Sequence, residues 1–427
     1  MCYNNFMKHF EKNQKLLLTV HILRTVLELF TSTFLTSHIL SVSADDILGK
    51  GLLNIGLFYI SFYISYALFY LIASKFVDKS NRVTFLRIGI FINTCFLVAL
   101  VFWGAVISSW IVFAGLIYGI SDAVYYSCYL VMRNEYSPRT SMKDYNILSV
   151  ILINIVKIIV PTILGFLIDV SSFSMVALYV VAITVVQFVI TFFFNASKPQ
   201  NSAFELKKFL KYLRKNKDAF SKVKFTYLNA LVAGFKSTYS VIVIILTVYT
   251  FKTNLSLGIF TSLFSLVTIF LLMLYKKIDG SPKVNKLAIY LILGIMPVIG
   301  CTVMVVWMNK ITLVIYNFIL TIAIYFSEYF GNIERDAIIK HLGKKEFIAE
   351  HQFVCEAVQC TTRCVAYGIL MLVGLFASIT AFKILLICYM LINPFKFVVM
   401  YNQRKVRKSF ENEQLEQQAE QIPAVQQ

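Results

Sequence analysis

The sequence predicts an all-α membrane protein of about twelve transmembrane helices, arranged as two six-helix, pseudo-symmetric bundles. Three observations carry that expectation. The first is composition: 427 residues, 58% hydrophobic and only 15% charged, with a mean hydropathy of +0.73, too apolar for a soluble domain to cover its surface. The second is run length. Apolar stretches of about twenty residues recur along the whole chain, each long enough to cross the hydrocarbon layer as a helix. They are unbroken rather than alternating, and a backbone in lipid must satisfy its own hydrogen bonds, so helices are favoured over a closed barrel. The third is a short internal repeat in two matching loops.

The spans are expected at 16–42, 51–74, 85–107, 109–132, 146–168, 173–195, 225–249, 254–275, 286–308, 311–331, 352–378 and 384–402. If the N-terminus is cytoplasmic, basic residues should gather on alternate connections. They do: among the loops only Lys50, Lys252, Lys310 and Lys383 fall on the other side. Both termini are therefore expected in the cytoplasm. The formal net charge of +18 then reports orientation and affinity for anionic lipid, and implies no nucleic acid.

The first helix follows Lys8, Lys12 and Lys15 and loosely imitates a secretory leader. Arg24 and Glu28 interrupt its apolar run, which is also too long, so it reads as a retained span. On one face it carries His21, Arg24, Glu28 and Thr31 or Ser32. The second helix stacks Tyr59, Tyr63, Tyr66 and Tyr70. The fourth does the same with Tyr118, Asp122, Tyr125 and Tyr129, and the fifth shows Asn154, Lys157 and Pro161. A break at 196–224 holds nine Lys or Arg residues against Glu205 and Asp218. Within it Leu206, Phe209, Leu210 and Leu213 form an apolar stripe, which reads either as a helix on the inner leaflet or as a solvated basic linker. In the second half the seventh helix carries Asn229 and Lys236. The tenth carries Asn317, Thr321, Tyr325, Glu328 and Asn332, and the eleventh Gln352, Glu356, Gln359, Arg363 and Tyr367. The third, sixth, ninth and twelfth hold no charge in their central portions. The chain thus divides into a bundle at 1–195, a linker at 196–224, a bundle at 225–408 and a Gln-rich tail at 409–427 expected to be disordered. Seven of the eight cysteines lie in predicted spans. Cys355, Cys360 and Cys364 read as small free thiols, and neither disulfides nor a metal site are expected.

The repeat lies after the second and eighth spans. Lys75-Phe-Val-Asp78-Lys79-Ser80-Asn81-Arg82-Val83 matches Lys276-Lys-Ile-Asp279-Gly280-Ser281-Pro282-Lys283-Val284 at constant offset, and both copies hold the same place in a set of six helices. The Asp78-Lys79-x-x-Arg82 loop resembles the signature loop of the major facilitator superfamily, as do the two six-helix halves, the basic middle loop and the inside termini. The sequence departs from that signature at Ser74 and Asn81, where the family has glycines. The resemblance implies a bacterial secondary transporter. It also implies that Asp78 sits near the start of the eleventh helix by Gln352, and that Arg82 pairs with Glu135, forming with Asp279 and Lys283 a set of gating loops. It further implies that helices 1, 4, 7 and 10 with 2, 5, 8 and 11 line a central cavity.

Ionisable groups in hydrocarbon cost several kcal/mol and commonly face a wet interior. Arg24, Glu28, Asp122, Tyr125, Lys157, Lys236, Glu328 and Arg363 are accordingly the candidate substrate and proton pathway. Asp122 leads, because desolvation favours the neutral carboxylic acid and lets it exchange a proton, with Lys157 or Arg24 as partner. The opposite reading stands beside it: with Glu356 counted, four charges of each sign fit interhelical salt bridges that only orient helices. No phosphate loop, nucleophile elbow or zinc-protease helix is present, so no enzyme is expected. The expected function is proton-coupled efflux of a small organic solute by alternating access, from a monomer without cofactors, driven by the proton gradient. Pro161-Thr-Ile-Leu-Gly165 resembles a truncated exporter motif of the superfamily. An importer of a small metabolite, or a transport-inactive membrane sensor or immunity protein, is the alternative. The abundance of Lys, Ile, Asn and Phe matches an AT-rich bacterial genome, which makes a bacterial plasma membrane the expected location.

Overall fold

The computed structural model describes residues 11–43, 46–77, 81–136, 142–195, 204–251, 253–279, 286–341 and 347–421. Among the described residues, eleven segments are long and apolar enough to cross a membrane. One of them, Arg82–Arg133, has 52 residues, or about 78 Å of helix, far more than one crossing needs. It divides at a short 3₁₀ turn, Gly104–Val106, so the described residues supply twelve crossing segments.

The helices are α1 (Lys12–Val42), α2 (Leu52–Val77), α3 (Arg82–Trp103), α4 (Ile107–Tyr136), α5 (Met142–Val170) and α6 (Phe173–Ile190). A linker helix, Leu206–Lys215, leads to α7 (Lys217–Phe251), α8 (Asn254–Asp279), α9 (Lys286–Val306), α10 (Lys310–His341) and α11 (Ile348–Leu375). The last, α12, is Ile379–Met390 continued by Ile392–Gln421. Local chemistry sets the starts. The Asn81 side chain accepts from Val83 N at 3.1 Å, Ser172 from Met175 N at 3.2 Å and Asp46 from Gly49 N at 2.8 Å, each supplying an orphan amide of a first turn. One stretch of α1, Phe30–Leu35, is π-helical, a local irregularity that recurs at functional sites.

Packing reproduces the internal repeat. In the first half α2 packs on α4, α3 on α4 and α6, and α1 on α5 and α6. Raising each number by six gives α8 on α10, α9 on α10 and α12, and α7 on α11 and α12, all of which occur. The two main seams between halves, α2 with α11 and α5 with α8, exchange under the same operation. The fold is therefore two pseudo-symmetric six-helix bundles. Its outer face is apolar, with Phe102, Phe270 and Ile311 about 70% exposed, as lipid contact requires. Since the number of crossings among the described residues is even, the start of α1 and the end of α12 lie at one end of the bundle, here termed the terminal end.

Two expectations change. The tail does not begin as coil: helix continues to Gln421, because Glu and Gln are good helix formers and no breaker interrupts them. The apolar stripe of the linker helix is covered by protein rather than lipid. Phe209 and Leu213 are buried against Ile338 and Phe347, with Val406 beside them, and Glu205 N donates to Glu350 Oε1 at 2.6 Å. Leu210 alone of that stripe points out, 48% exposed.

Candidate functional site

A cavity of about 510 Å³ lies between the halves. Its lining runs from Tyr63, Asp122, Lys236 and Arg363 in mid-bundle to Leu130, Thr226 and Gln352 toward the terminal end. The opposite, far end is closed by backbones in close approach. A Cβ on Gly165 would meet the Asn254 carbonyl oxygen at 2.4 Å, and one on Gly258 would meet the Pro161 carbonyl oxygen at 2.2 Å, so α5 and α8 touch only because both residues lack a side chain. The Asp169 carboxylate completes this seam by accepting from Asn254 N at 3.1 Å and Leu255 N at 2.8 Å, the first amides of α8. Ser37 of α1 donates to Asn254 Oδ1 at 2.9 Å. Between the two regions Thr162 donates to Ser262 at 2.8 Å.

The wall from the first half centres on Arg24, which is wholly buried. Its guanidinium forms an ion pair with Asp122 of α4, reaches Glu28 Oε1 with Nε at 3.3 Å, and lies 4.8 Å from the Tyr125 ring centroid. Glu28 also accepts from Tyr126 Oη at 2.5 Å. One cation thus serves two carboxylates. Asp122 and Tyr126 line the cavity, with Arg24 behind them. His21 stacks on Tyr129 with centroids 4.0 Å apart, closing the layer.

The wall from the second half is built on α7, α10 and α11. Lys236 is buried and donates to the Ile324 carbonyl at 2.9 Å and to Ser327. On α11, Gln352 donates to Glu356 at 3.2 Å, and Arg363 Nη2 donates to Gln359 Oε1 at 3.1 Å. The Arg363 guanidinium lies 4.9 Å from the Tyr63 ring centroid of α2, a cation–π contact across the seam. Lys396 of α12 is buried and joins this wall.

The structure sorts the sequence candidates. It brings Arg24, Glu28 and Asp122 together, and Lys236 and Arg363 to one cavity. Tyr125 does not reach that cavity: it is buried beneath Arg24, and its neighbour Tyr126 takes the position. The reason is helical geometry, since residue 126 lies about 40° from Asp122 on the cavity side, whereas 125 lies about 60° round toward α1. Lys157 is exposed on α5, is not among the cavity-lining residues and is not the partner of Asp122; Arg24 is. Arg82 Nη1 meets Glu135 Oε2 at 2.5 Å, with the arginine fully buried. Asp78 and Lys283, with the side chains of Asp279 and Glu328, lie outside the described residues. Tyr126 and Lys396 escaped the sequence reading, and so did Asp169, whose position one residue past a predicted span gave no signal. The lining comes from α2, α4, α7, α10, α11 and α12; among the lining residues none belongs to α1, α5 or α8.

A polar cavity at mid-membrane between two equivalent bundles defines the class of secondary transporters. The family model of the Major Facilitator Superfamily matches residues 23–333, and the chain belongs to that superfamily, a membrane transporter rather than an enzyme. By sequence, no curated protein matches. Its fold is similar to that of a POT family transporter solved with 5-aminolevulinic acid (TM-score 0.66, 12% identity, 92% of this chain and 96% of that one). It is also similar to the nucleoside transporter NupG (0.64, 14%, 91% and 100%). A third is a bacterial homologue of the human lysosomal transporter Spinster, inward-facing and unoccupied (0.56, 11%, 92% and 98%).

Proposed function

We propose that the protein is a proton-linked carrier of a small organic solute, working by alternating access and exporting its substrate from a bacterial cytoplasm. The observation that carries the proton link is the Arg24–Asp122–Glu28 cluster. With both acids ionised it holds one excess negative charge in a low-dielectric bundle, and a single proton brings it to neutrality. Asp122 lies on the cavity surface, so that proton has a path to water. Loading it loosens the pair with Arg24 and frees α1 to move against α4. The positive-inside pattern orients the terminal end toward the cytoplasm, and the cavity reaches toward that end, so this state is the inward-open one. Arg82 with Glu135 is the latch that forms when α2–α4 take this arrangement. The export direction rests on the Pro161–Gly165 segment.

The test begins with a growth-inhibition screen of an overexpressing strain to identify a substrate. Uptake of that substrate into proteoliposomes is then measured with and without an imposed pH gradient. Asp122→Asn is expected to abolish gradient-driven accumulation while sparing exchange of substrate across the membrane. Undiminished accumulation in that variant would remove Asp122 from the coupling.

A further inference from the structure

The geometry points to a small zwitterion as the occupant of the cavity, its ammonium on Glu356 and its carboxylate on Arg363. This rests on the carrier reading for its setting, though on neither the coupling ion nor the direction. The inference starts from unmatched charge. Arg24 is matched by Asp122 and Glu28, and Arg82 by Glu135. Glu356 and Arg363 both line the cavity, yet neither enters an ion pair with any described residue. Glu356 receives one amide, from Gln352. Arg363 has Gln359 and the face of Tyr63, and its Nε is buried with no hydrogen-bond partner. A charge left so at membrane depth is costly unless something that comes and goes compensates it.

Spacing explains why they form no direct ion pair with each other and feel one another only across a gap. They are seven residues apart on α11, two turns on one face, about 10.5 Å along the axis. Ion pairs within a helix form at three or four residues, the spacing Arg24 and Glu28 use. Here the interval holds Gln359, whose carbonyl oxygen is taken by Arg363 and whose NH₂ remains to donate into the gap. A guanidinium can make two parallel bonds to a carboxylate, and Tyr66 of α2, which also lines the cavity, adds an aromatic ring for the body between the charges. Lys236 and Lys396 also line the cavity, the first held by the Ile324 carbonyl and Ser327; of the two α11 charges, a monoanion would engage only Arg363 and a monocation only Glu356. The axial gap also sets a length: the two charges of the ligand should be several bonds apart rather than on one carbon. The cavity, at about 510 Å³, is within the usual range for small-molecule sites.

The experiment is thermal-shift binding with the purified full chain in detergent. The probes are glycine, 4-aminobutanoate and 6-aminohexanoate, with N-acetyl-6-aminohexanoate and 6-aminohexanoate methyl ester as singly charged controls. The expected result is tighter binding as the chain lengthens from glycine, and at least tenfold weaker binding of either blocked form. In Glu356→Gln the preference over the N-acetyl compound should collapse, and in Arg363→Gln the preference over the ester. Equal binding of parent and blocked forms overturns the inference, as does no binding by any zwitterion of the series. The wild-type comparison decides the matter alone if a variant fails to fold. Zwitterion binding without uptake into proteoliposomes would sink the carrier reading and keep this one. Gradient-driven uptake of a blocked compound in preference to its parent would do the reverse.

Discussion

Replacing Gly165 with alanine adds one methyl group where two helices touch. The new Cβ would stand 2.4 Å from the Asn254 carbonyl oxygen and 3.0 Å from its carbon, both backbone atoms. Ordinary contact begins near 3.4 Å, so α5 and α8 must part by about 1 Å at the far end. Overpacking of this kind costs about 1–3 kcal/mol, and it falls only on the state in which the seam is closed. At 1.4 kcal/mol per decade the population open at the far end should rise roughly 5- to 150-fold. Ser37, which is buried and bonded to Asn254 across this seam, reports the change. With the native cysteines replaced, Ser37→Cys should react faster with a membrane-impermeant maleimide added on the far side, by that factor. Gly368→Ala is the control, because a Cβ there meets nothing within 4 Å; it should leave the labelling rate unchanged. A rate in Gly165→Ala within twofold of the parent, with folding retained, would refute the claim that this approach holds the far end shut.

Three further outcomes follow from the same contacts. Arg24→Met should lower the melting temperature far more than Asp122→Asn, since it strands the buried Asp122 carboxylate, and the half-buried Glu28 with it, at a cost of about 3 kcal/mol, whereas the second change leaves Glu28 to hold the arginine. Asp169→Asn removes the carboxylate from the first amides of α8; the loss of a helix cap is worth about 1 kcal/mol, and the Ser37→Cys labelling rate should rise about fivefold. Phe209→Ala takes the anchor from the linker helix, a change worth about 3 kcal/mol at a buried phenylalanine. It should expose the linker to protease while the melting temperature of the bundle moves little.

Hydropathy made the fold legible because lipid leaves a chain so few choices. Run length gave the helices, and lysine placement with the repeated loop gave two halves before any contact was known. The site was legible only as a set of depths. Asp122 stands out as an acid in an apolar run, but sequence offers Lys157 and Arg24 equally as its partner. The choice depends on which helix lies against α4 at that height, a tertiary fact. Tyr125 and Tyr126 differ by one residue and sit on opposite sides of Asp122, so the heptad-like stripe of tyrosines misplaced the cavity wall by one position. The linker stripe was read correctly as apolar, but neither alternative offered for it, a leaflet helix or a solvated linker, named the protein cover it has, because an amphipathic helix fits a leaflet and a protein surface by the same pattern. Gly165 and Gly258 carry no sequence signal of their own, since a glycine in a long apolar helix becomes meaningful only when the backbone it touches is known.

The two seams between the halves are symmetry copies, yet they are not used alike. Contacts between α2 and α11 run from Gly374 over Leu52, through the stacked Tyr59 and Tyr367 rings at 4.5 Å, to Tyr70 against Phe353 at 6.4 Å, nearly the length of both helices. The contacts of α5 with α8 described above join Pro161–Asp169 to Asn254–Ser262, the far halves of each. Leu263, Leu266 and Phe270 farther along α8 are exposed. The α2–α11 seam is built of stacked rings, whereas α5 and α8 are joined by close backbones and by the Thr162–Ser262 and Asp169–Asn254 hydrogen bonds, beside the buried Leu164 and Leu257. Alternation should therefore proceed by breaking and remaking the α5–α8 contact while α2 and α11 remain in touch. The Thr162 and Ser262 hydroxyls, 2.8 Å apart, allow this to be tested with the pair Thr162→Cys and Ser262→Cys. Oxidation should stop solute exchange in proteoliposomes and reduction should restore it, with binding in detergent unaffected by either. Exchange that continues in the oxidised protein would show that this seam does not have to open.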